Sequence, residues 1–200
     1  MKIEKVIFDL GKVIVKFDPK NLFKKIFQNE KEMDFFFKNI CSWEWHIQQD
    51  IVYDTKPATE KKIKEFPEFK VAIEAFYERF LEMIIGVYDE NLKIALDLKQ
   101  KNIPIYILSN FPGKQFEEYA SKNSFIKNFE DTIISGKVGL KKPDPRIYKL
   151  ACDKFNCIPE KTLFIDDRPE NTLSASKLGF KIITLDKPEK LKDYIKKFTF

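Results

Sequence analysis

From Asp89 onward, short apolar runs alternate with longer amphipathic stretches. An earlier apolar run, 5–9, has the same character and precedes Gly11. The later runs of strand length cover 103–108, 131–134, 162–165 and 181–185. Strands that alternate with helices form βαβ units and a parallel sheet. The pattern therefore predicts an α/β fold with a Rossmann-like, three-layer parallel sheet.

The segment between the first run and Asp89 has a different pattern. Residues 21–88 show helical spacing, contain many aromatic residues and have one glycine, Gly86. This pattern predicts a set of helices with no strand. We therefore predict a discontinuous sheet domain, residues 1–16 and 89–200, and an all-helical insertion, residues 17–88.

Composition narrows the class of protein. The chain has 200 residues, of which 44% are hydrophobic, and this fraction can build a core rather than a disordered chain. No apolar run approaches the roughly 18–20 residues that span a bilayer. Charged residues interrupt positions 1–10, where a secretory signal would need an unbroken apolar stretch. We expect a soluble, cytoplasmic protein with no membrane partner.

Charge, cysteine and histidine content exclude further classes. The net charge of +5 is mild and is carried mostly by scattered lysines, so we expect no nucleic-acid partner. Cys41, Cys152 and Cys157 lack a CxxC spacing, which predicts reduced thiols rather than a disulfide framework or a zinc site. His46 is the only histidine, which excludes any mechanism that needs two.

Polar residues gather where the predicted strands end or where a helix is about to begin. They are Asp9, Ser109, Asn110, Lys142, Asp166 and Asp167. In an open parallel sheet, ligands bind at the carboxyl ends of the strands. Clustered carboxylates repel one another unless a cation neutralises them, and oxygen donors favour Mg²⁺. A lysine and a hydroxyl group suit an anion such as a phosphoryl group, which a carboxylate can attack.

Four segments resemble motifs I to IV of the haloacid dehalogenase (HAD) superfamily. They are Phe8-Asp9-Leu10-Gly11, Leu108-Ser109-Asn110, Lys142-Pro143-Asp144-Pro145 with Ile147-Tyr148, and Phe164-Ile165-Asp166-Asp167 with Asn171. The chain most resembles the subgroup with a helical cap after motif I, in a DxG variant similar to sugar-phosphate phosphatases. The resemblance implies an Mg²⁺-dependent phosphatase that hydrolyses a small phosphorylated metabolite, for example a sugar phosphate. The run Phe35-Phe36-Phe37 cannot face inward as a whole on one helix, which leaves both a monomer and a homodimer open.

The resemblance implies catalytic roles for individual residues. Asp9 would be the nucleophile that forms an aspartyl-phosphate. Lys142 would neutralise both the nucleophile and the phosphate. Ser109 would donate a hydrogen bond to the phosphoryl oxygens, and Asn110 would support the same loop.

The resemblance also implies a set of metal ligands. Asp9, the backbone carbonyl of Gly11 and Asp167 would hold Mg²⁺. Asp166 would be a second ligand or would orient Lys142. Asn171 would support the site from behind.

The sequence departs from the family pattern at Gly11. Most phosphatases of the family have a second aspartate there, which protonates the leaving group and then activates water. Loss of such a group lowers the reaction rate by about 10²–10⁴-fold. Three alternatives follow. The substrate has a good leaving group that needs little acid, or Lys12 or a residue of the helical segment replaces the missing aspartate, or turnover is slow. His46 is the candidate substitute because its ordinary pKa is near neutrality. Trp43 and Trp45, on the same helical stretch, are candidates to line a sugar pocket.

Two other functions stay open. A 2-haloacid dehalogenase uses the same aspartate to displace halide and needs no metal, but Asp166 and Asp167 would leave unneutralised charge in its site. A HAD-fold protein that binds a phosphorylated ligand with little or no turnover is the second, because of Gly11.

Overall fold

Five parallel strands form the central sheet of the computed structural model, which describes residues 2–200. The strands in chain order are β1 (Lys5–Phe8), β2 (Val15–Phe17), β3 (Ile84–Val87), β4 (Ile105–Ser109), β5 (Asp131–Ile134), β6 (Thr162–Asp166) and β7 (Lys181–Thr184). The order across the sheet is β5-β4-β1-β6-β7, with every neighbouring pair parallel. The carboxyl end of β1 therefore lies between those of β4 and β6, and the predicted parallel α/β fold is confirmed.

The helices in chain order are α1 (Pro19–Phe23), α2 (Glu30–Phe35), α3 (Trp43–Gln49), α4 (Lys56–Glu65), α5 (Lys70–Glu78), α6 (Asp89–Gln100), α7 (Gly113–Lys122), α8 (Ser135–Val138), α9 (Pro145–Phe155), α10 (Pro169–Ser176) and α11 (Leu191–Ile195). A π-helical turn, Phe36–Ile40, follows α2. Among residues 2–200, no helix has both the length and the apolar character that crossing a bilayer requires.

The sheet is covered on both faces because side chains alternate along each strand. In β1, Val6 and Phe8 pack on the face that α6 covers, where Leu98 is buried. Ile7 packs on the opposite face with Tyr148 of α9. Burial on both faces explains why the strands are continuously apolar instead of alternating. The predicted three-layer arrangement is confirmed.

An antiparallel ribbon of β2 and β3 connects the sheet to the helices α1–α5. The prediction of no strand in residues 21–88 is wrong, since β3 lies there. Gly86 has a φ of +134°, which glycine adopts readily, and Ile85 next to it is half exposed. Residues 84–87 therefore lack the buried apolar side chains that are typical of a strand in a sheet. The domain limits at residues 17 and 88 stay a prediction, and the ribbon lies where the chain leaves the sheet and returns.

Aromatic side chains fill the interior of the helical segment, residues 17–88. Phe23 is buried, with its ring centroid 5.0 Å from that of Phe36, 4.9 Å from Phe37 and 5.7 Å from Phe76. Phe35, directly before Phe36 in the chain, is half exposed. Successive residues of a helix point in different directions, so the run 35–37 contributes only part of its apolar surface to the interior.

The residues after α3 form a strap, residues 50–54, which is hydrogen-bonded to the sheet domain. The backbone N–H of Gly113 donates to Val52 O (3.1 Å), and that of Lys114 donates to Tyr53 O (2.9 Å). Ser135 Oγ donates to Asp50 O at 2.5 Å. The helical segment is therefore fixed to the sheet domain by contacts with the backbone of the strap as well as by the ribbon.

Gly136 lies where the strap and the sheet domain approach most closely. A Cβ atom built there would lie 2.6 Å from Val52 O and 2.8 Å from Phe111 O. Gly136→Ala is therefore expected to destabilise the protein by about 1–3 kcal/mol, because backbone atoms must move. Urea unfolding measures this change. Gly11→Ala is the matched control, since a Cβ there meets nothing within 4 Å, and an equal midpoint shift in both variants would contradict the expectation.

Candidate active site

The carboxyl ends of β1, β4 and β6 bring the predicted residues to one crevice. Asp9 directly follows β1, Ser109 ends β4 and Asp166 ends β6. One oxygen atom from each of Asp9, Asp166 and Asp167 lies within 4.8 Å of the other two. The parallel sheet thus places three carboxylates together that are far apart in the sequence.

Lys142 is buried among these carboxylates. Its Nζ lies 2.9 Å from Asp9 Oδ1 and donates to Asp166 Oδ2 (2.6 Å) and to Leu108 O (2.8 Å). The ammonium group thus makes two hydrogen bonds and an ion pair with Asp9. Burial alone would lower the pKa of Lys142, but the carboxylates of Asp166 and Asp9 raise it above its ordinary value. The side chain is therefore a fixed positive charge.

Asn110 positions the backbone of Lys142 through two reciprocal hydrogen bonds. Asn110 Nδ2 donates to Lys142 O, and Lys142 N donates to Asn110 Oδ1, both at 2.9 Å. This double contact joins the loop after β4 to the loop before α9. The sequence-based expectation placed Asn110 in support of a loop, and this is where its side chain lies.

The hydrogen bonds of the two adjacent aspartates differ. Besides Lys142, Asp166 accepts from Asn171 Nδ2 (2.9 Å) and from the backbone N–H of Arg168 (2.9 Å). No donor within residues 2–200 reaches the Asp167 carboxylate. Burial, together with the negative charges of Asp9 and Asp166, raises the pKa of Asp167 to about 7. Asp166 is therefore arranged to orient Lys142, while the oxygens of Asp167 stay available to a ligand.

The donor set of the crevice fits a hard cation. Burial raises the pKa of Asp9 and the charge of Asp166 adds to the rise, while Lys142 and the Ser109 hydroxyl oppose it. Three carboxylates then face one ammonium group, and a divalent ion would relieve their repulsion. Asn171 Oδ1 is also buried without a hydrogen-bond partner among residues 2–200. Oxygen donors with excess negative charge match the ligands that Mg²⁺ prefers.

One face of α3 forms the roof of the crevice, which encloses about 260 Å³. Trp43, His46 and Asp50 line it together, and they share a face because they lie three and seven residues apart. Ser42 Oγ accepts the N–H of Trp45 and begins the helix at Trp43. Because the cap fixes the residue at which α3 begins, it also determines which of its side chains face the crevice.

The expectation for Trp45 needs a correction. Its ring packs inside the helical segment, 5.5 Å from the rings of both Phe76 and Tyr77. Trp43 lines the crevice instead, with the guanidinium carbon of Arg168 5.9 Å from its ring centroid. The two tryptophans are two residues apart on one helix and therefore face different environments.

His46 lines the crevice as predicted, but its environment does not suit a proton donor. The ring is buried, and Nδ1 lies 3.0 Å from Tyr77 Oη. Burial, with the charge of Lys141, lowers the pKa of His46 to about 4. The imidazole is therefore neutral at pH 7. Lys12, the other candidate substitute, also lines the crevice.

Asp50 lines the same crevice, although it lies outside the motifs that point to the site. Its carboxyl group is in the roof, across the crevice from the sheet. A signal was present in the sequence, because Asp50 lies four residues after His46 and shares its helical face.

A buried lysine between carboxylates, at the carboxyl ends of a parallel sheet, is the arrangement of a Rossmann-like hydrolase. The model of the haloacid dehalogenase-like hydrolase family matches residues 6–179, so the chain belongs to this family.

Individual relatives agree with this family. The chain is 33% identical over 109 residues to enolase-phosphatase E1 of Persephonella marina, over 52% of this chain and 46% of that protein. It is 28% identical over 128 residues to the phosphorylated carbohydrates phosphatase of Thermotoga maritima, over 60% and 59% of the two chains. The chain thus spans about half the length of the curated relatives it matches.

A solved structure resembles the whole fold. A HAD-family enzyme from Bacteroides thetaiotaomicron, in complex with magnesium and inorganic phosphate, has a TM-score of 0.70 and 27% identity. The match covers 91% of this chain and 93% of that one.

Proposed function

We propose that this chain is an Mg²⁺-dependent phosphatase that hydrolyses a small phosphorylated metabolite through an aspartyl-phosphate on Asp9. One observation carries the proposal: the Lys142 ammonium lies 2.9 Å from Asp9 and is held from behind by Asp166. This arrangement favours the charged form of a carboxylate and fixes it at the bottom of a crevice. The match to a HAD-family structure with bound magnesium and phosphate supports the same reaction.

Each residue of the site has a distinct role in the proposed phosphoryl transfer. Asp9 Oδ attacks phosphorus, and the bond from phosphorus to the leaving-group oxygen breaks. Lys142 and the Ser109 hydroxyl stabilise the charge that develops on the phosphoryl oxygens. Asp166 keeps Lys142 in place, and Asn110 holds the loop that carries it. Water then hydrolyses the aspartyl-phosphate and regenerates the Asp9 carboxylate.

Mg²⁺, when bound, supplies positive charge that offsets the phosphoryl group and the carboxylates. We assign Asp9, Asp167 and the Gly11 carbonyl as its protein ligands, since all three residues line the crevice. Asp166 is left to Lys142, because its oxygens already accept hydrogen bonds.

The helical segment acts in this proposal as a cap that selects the substrate. The volume of about 260 Å³ suits a small molecule. A relative named for phosphorylated carbohydrates supports a sugar phosphate as one substrate of this class.

Charge separates this proposal from dehalogenation. A 2-haloacid carries a carboxylate of its own, and it would enter a crevice where three carboxylates already face one lysine. Without a metal, this repulsion is not relieved.

Release of inorganic phosphate from sugar, acyl, alkyl and aryl phosphates tests the proposal, with Mg²⁺ and with a chelator. We expect turnover that needs Mg²⁺. Release of halide from 2-haloacids without metal would replace the proposal with a dehalogenase. Binding of phosphorylated compounds without turnover would replace it with a binding protein.

A further inference from the structure

The carboxyl group of Asp50 is buried in the crevice without a protein partner. The residue is 5% exposed and lines the crevice together with Asp9 and Gly11. Among residues 2–200, no hydrogen-bond donor reaches its carboxylate oxygens. The other fully buried acids of the site differ, since Asp9 and Asp166 both contact Lys142.

The backbone fixes the position of Asp50. Ser135 Oγ donates to its carbonyl oxygen at 2.5 Å, and one turn earlier Lys141 Nζ donates to Ile47 O at 2.5 Å. The strap then continues through the backbone contacts of Val52 with the sheet domain. Asp50 is therefore held over the site by the sheet domain itself.

Stability does not explain a carboxyl group at this place. Asp50 is the C-cap residue directly after α3, and the carboxyl end of a helix disfavours negative charge. Burying an unpaired carboxylate is also unfavourable. An asparagine would avoid both penalties, so the carboxyl group points to a functional role.

Position 11, where most phosphatases of the family have an aspartate, lacks the group that Asp50 can supply. Gly11 offers no side chain, and a Cβ there would meet nothing within 4 Å. We propose that Asp50 is the general acid that protonates the leaving group, and then the general base that activates water, in place of a side chain at position 11. This inference rests on the proposed phosphatase function.

The proton transfers balance over the two steps. As the bond from Asp9 Oδ to phosphorus forms, the bond to the leaving oxygen breaks, and the Asp50 proton moves to that oxygen to give an alcohol. Asp50 is then a carboxylate. It takes a proton from the water that attacks the aspartyl-phosphate, inorganic phosphate leaves, and Asp50 is again protonated.

The charges around Asp50 agree with this cycle. Lys141 and Lys142 face it from the loop before α9, Arg168 from the loop after β6, Asp9 from β1 and Tyr77 from α5. Burial is the largest effect and raises the pKa of Asp50 to about 7, against the lysines and the arginine. The group can therefore both donate and accept a proton near neutral pH.

The leaving group of the substrate provides the test. Asp50→Asn should lower kcat by about 10²–10⁴-fold for the best alkyl phosphate, whose leaving group needs a proton. With p-nitrophenyl phosphate, which needs none, the first turnover should change less than about tenfold. The loss of the base should then appear as a burst of one equivalent of nitrophenol before slow turnover.

Two variants control this experiment. Glu44→Gln neutralises an exposed carboxylate on the same helix and should leave both rates unchanged. Gly11→Asp in the Asp50→Asn background places a carboxyl group in the open space at position 11 and should restore part of the alkyl phosphate activity. Urea unfolding shows that each variant is folded, and Asp50→Asn should be at least as stable as the wild type.

The outcomes separate the two proposals. An Asp50→Asn variant that slows the first turnover of both substrates equally, or that only raises KM, overturns the role of Asp50 while the phosphatase stands. A wild-type enzyme that turns over aryl but no alkyl phosphates also overturns it. A wild-type enzyme that releases no phosphate from any compound overturns both.

Discussion

Asp9→Asn should abolish phosphate release, with a loss in kcat of at least about 10⁴-fold. The amide nitrogen and oxygen keep the shape of the carboxylate but cannot form the aspartyl-phosphate. Steady-state phosphate release with Mg²⁺ measures the loss for the best substrate.

The same variant should remain folded and should gain stability. Asp9 lies close to Asp166 and Asp167, and its pKa is raised by burial and by the charge of Asp166. Removing its charge reduces this repulsion, while Asp166 still pairs with Lys142. Thermal unfolding without metal should therefore show an unchanged or higher Tm. Residual activity within tenfold of the wild type would rule out Asp9 as the nucleophile.

Lys142→Met should destabilise the protein by about 3–5 kcal/mol and remove its activity. The substitution leaves Asp9 and Asp166 buried without their shared cation. Loss of one partner of a buried ion pair destabilises a protein by about this amount, because the remaining charge is uncompensated. Urea unfolding without metal measures the change. Lys141→Met is the matched control, since that lysine donates to a single backbone carbonyl and its loss should be about 1 kcal/mol.

The pH dependence of Lys142→Met follows from the remaining carboxylates. In the folded variant the pKa of Asp9 lies above its ordinary value of 3.8, because Asp9 is buried beside Asp166 and has lost the opposing charge of Lys142. The native state then binds more protons than the unfolded chain, so stability falls as the pH rises through this window. The loss should be smaller at pH 5 than at pH 8. A second substitution, Asp9→Asn, should recover part of it, and a pH-independent loss in both would contradict the ion-pair explanation.

The sequence predicts the fold and the floor of the site because both depend on short-range patterns. Asp9 directly follows a strand of buried residues, and Ser109 and Asp166 end two others. A parallel sheet brings such ends together whatever the details of packing. The distinction between Asp166 and Asp167 was not accessible in this way. It depends on which carboxylate meets Lys142 and Asn171 across the sheet.

The roof of the site was harder to predict because its helix is short. The segment 41–50 contains two tryptophans, and either could face the crevice until the first helical residue is known. Ser42 settles this by capping α3, which directs Trp43 and Asp50 to the crevice and Trp45 inward. Strand β3 was missed because Gly86 and the half-exposed Ile85 interrupt its pattern.

The ribbon of β2 and β3 has a consequence for how such a chain can diversify. Its strands pair Val15 with Val87, so the helical segment begins and ends at neighbouring points of the backbone. An insertion of another length or shape can join the same two points without moving the sheet, since the ribbon already holds the two ends of the insertion side by side. The roof residues Trp43, His46 and Asp50 would be exchanged together, whereas the Asp9–Lys142 floor would be inherited unchanged. Under the proposed mechanism, exchange of this one segment would therefore change substrate selection and proton transfer together.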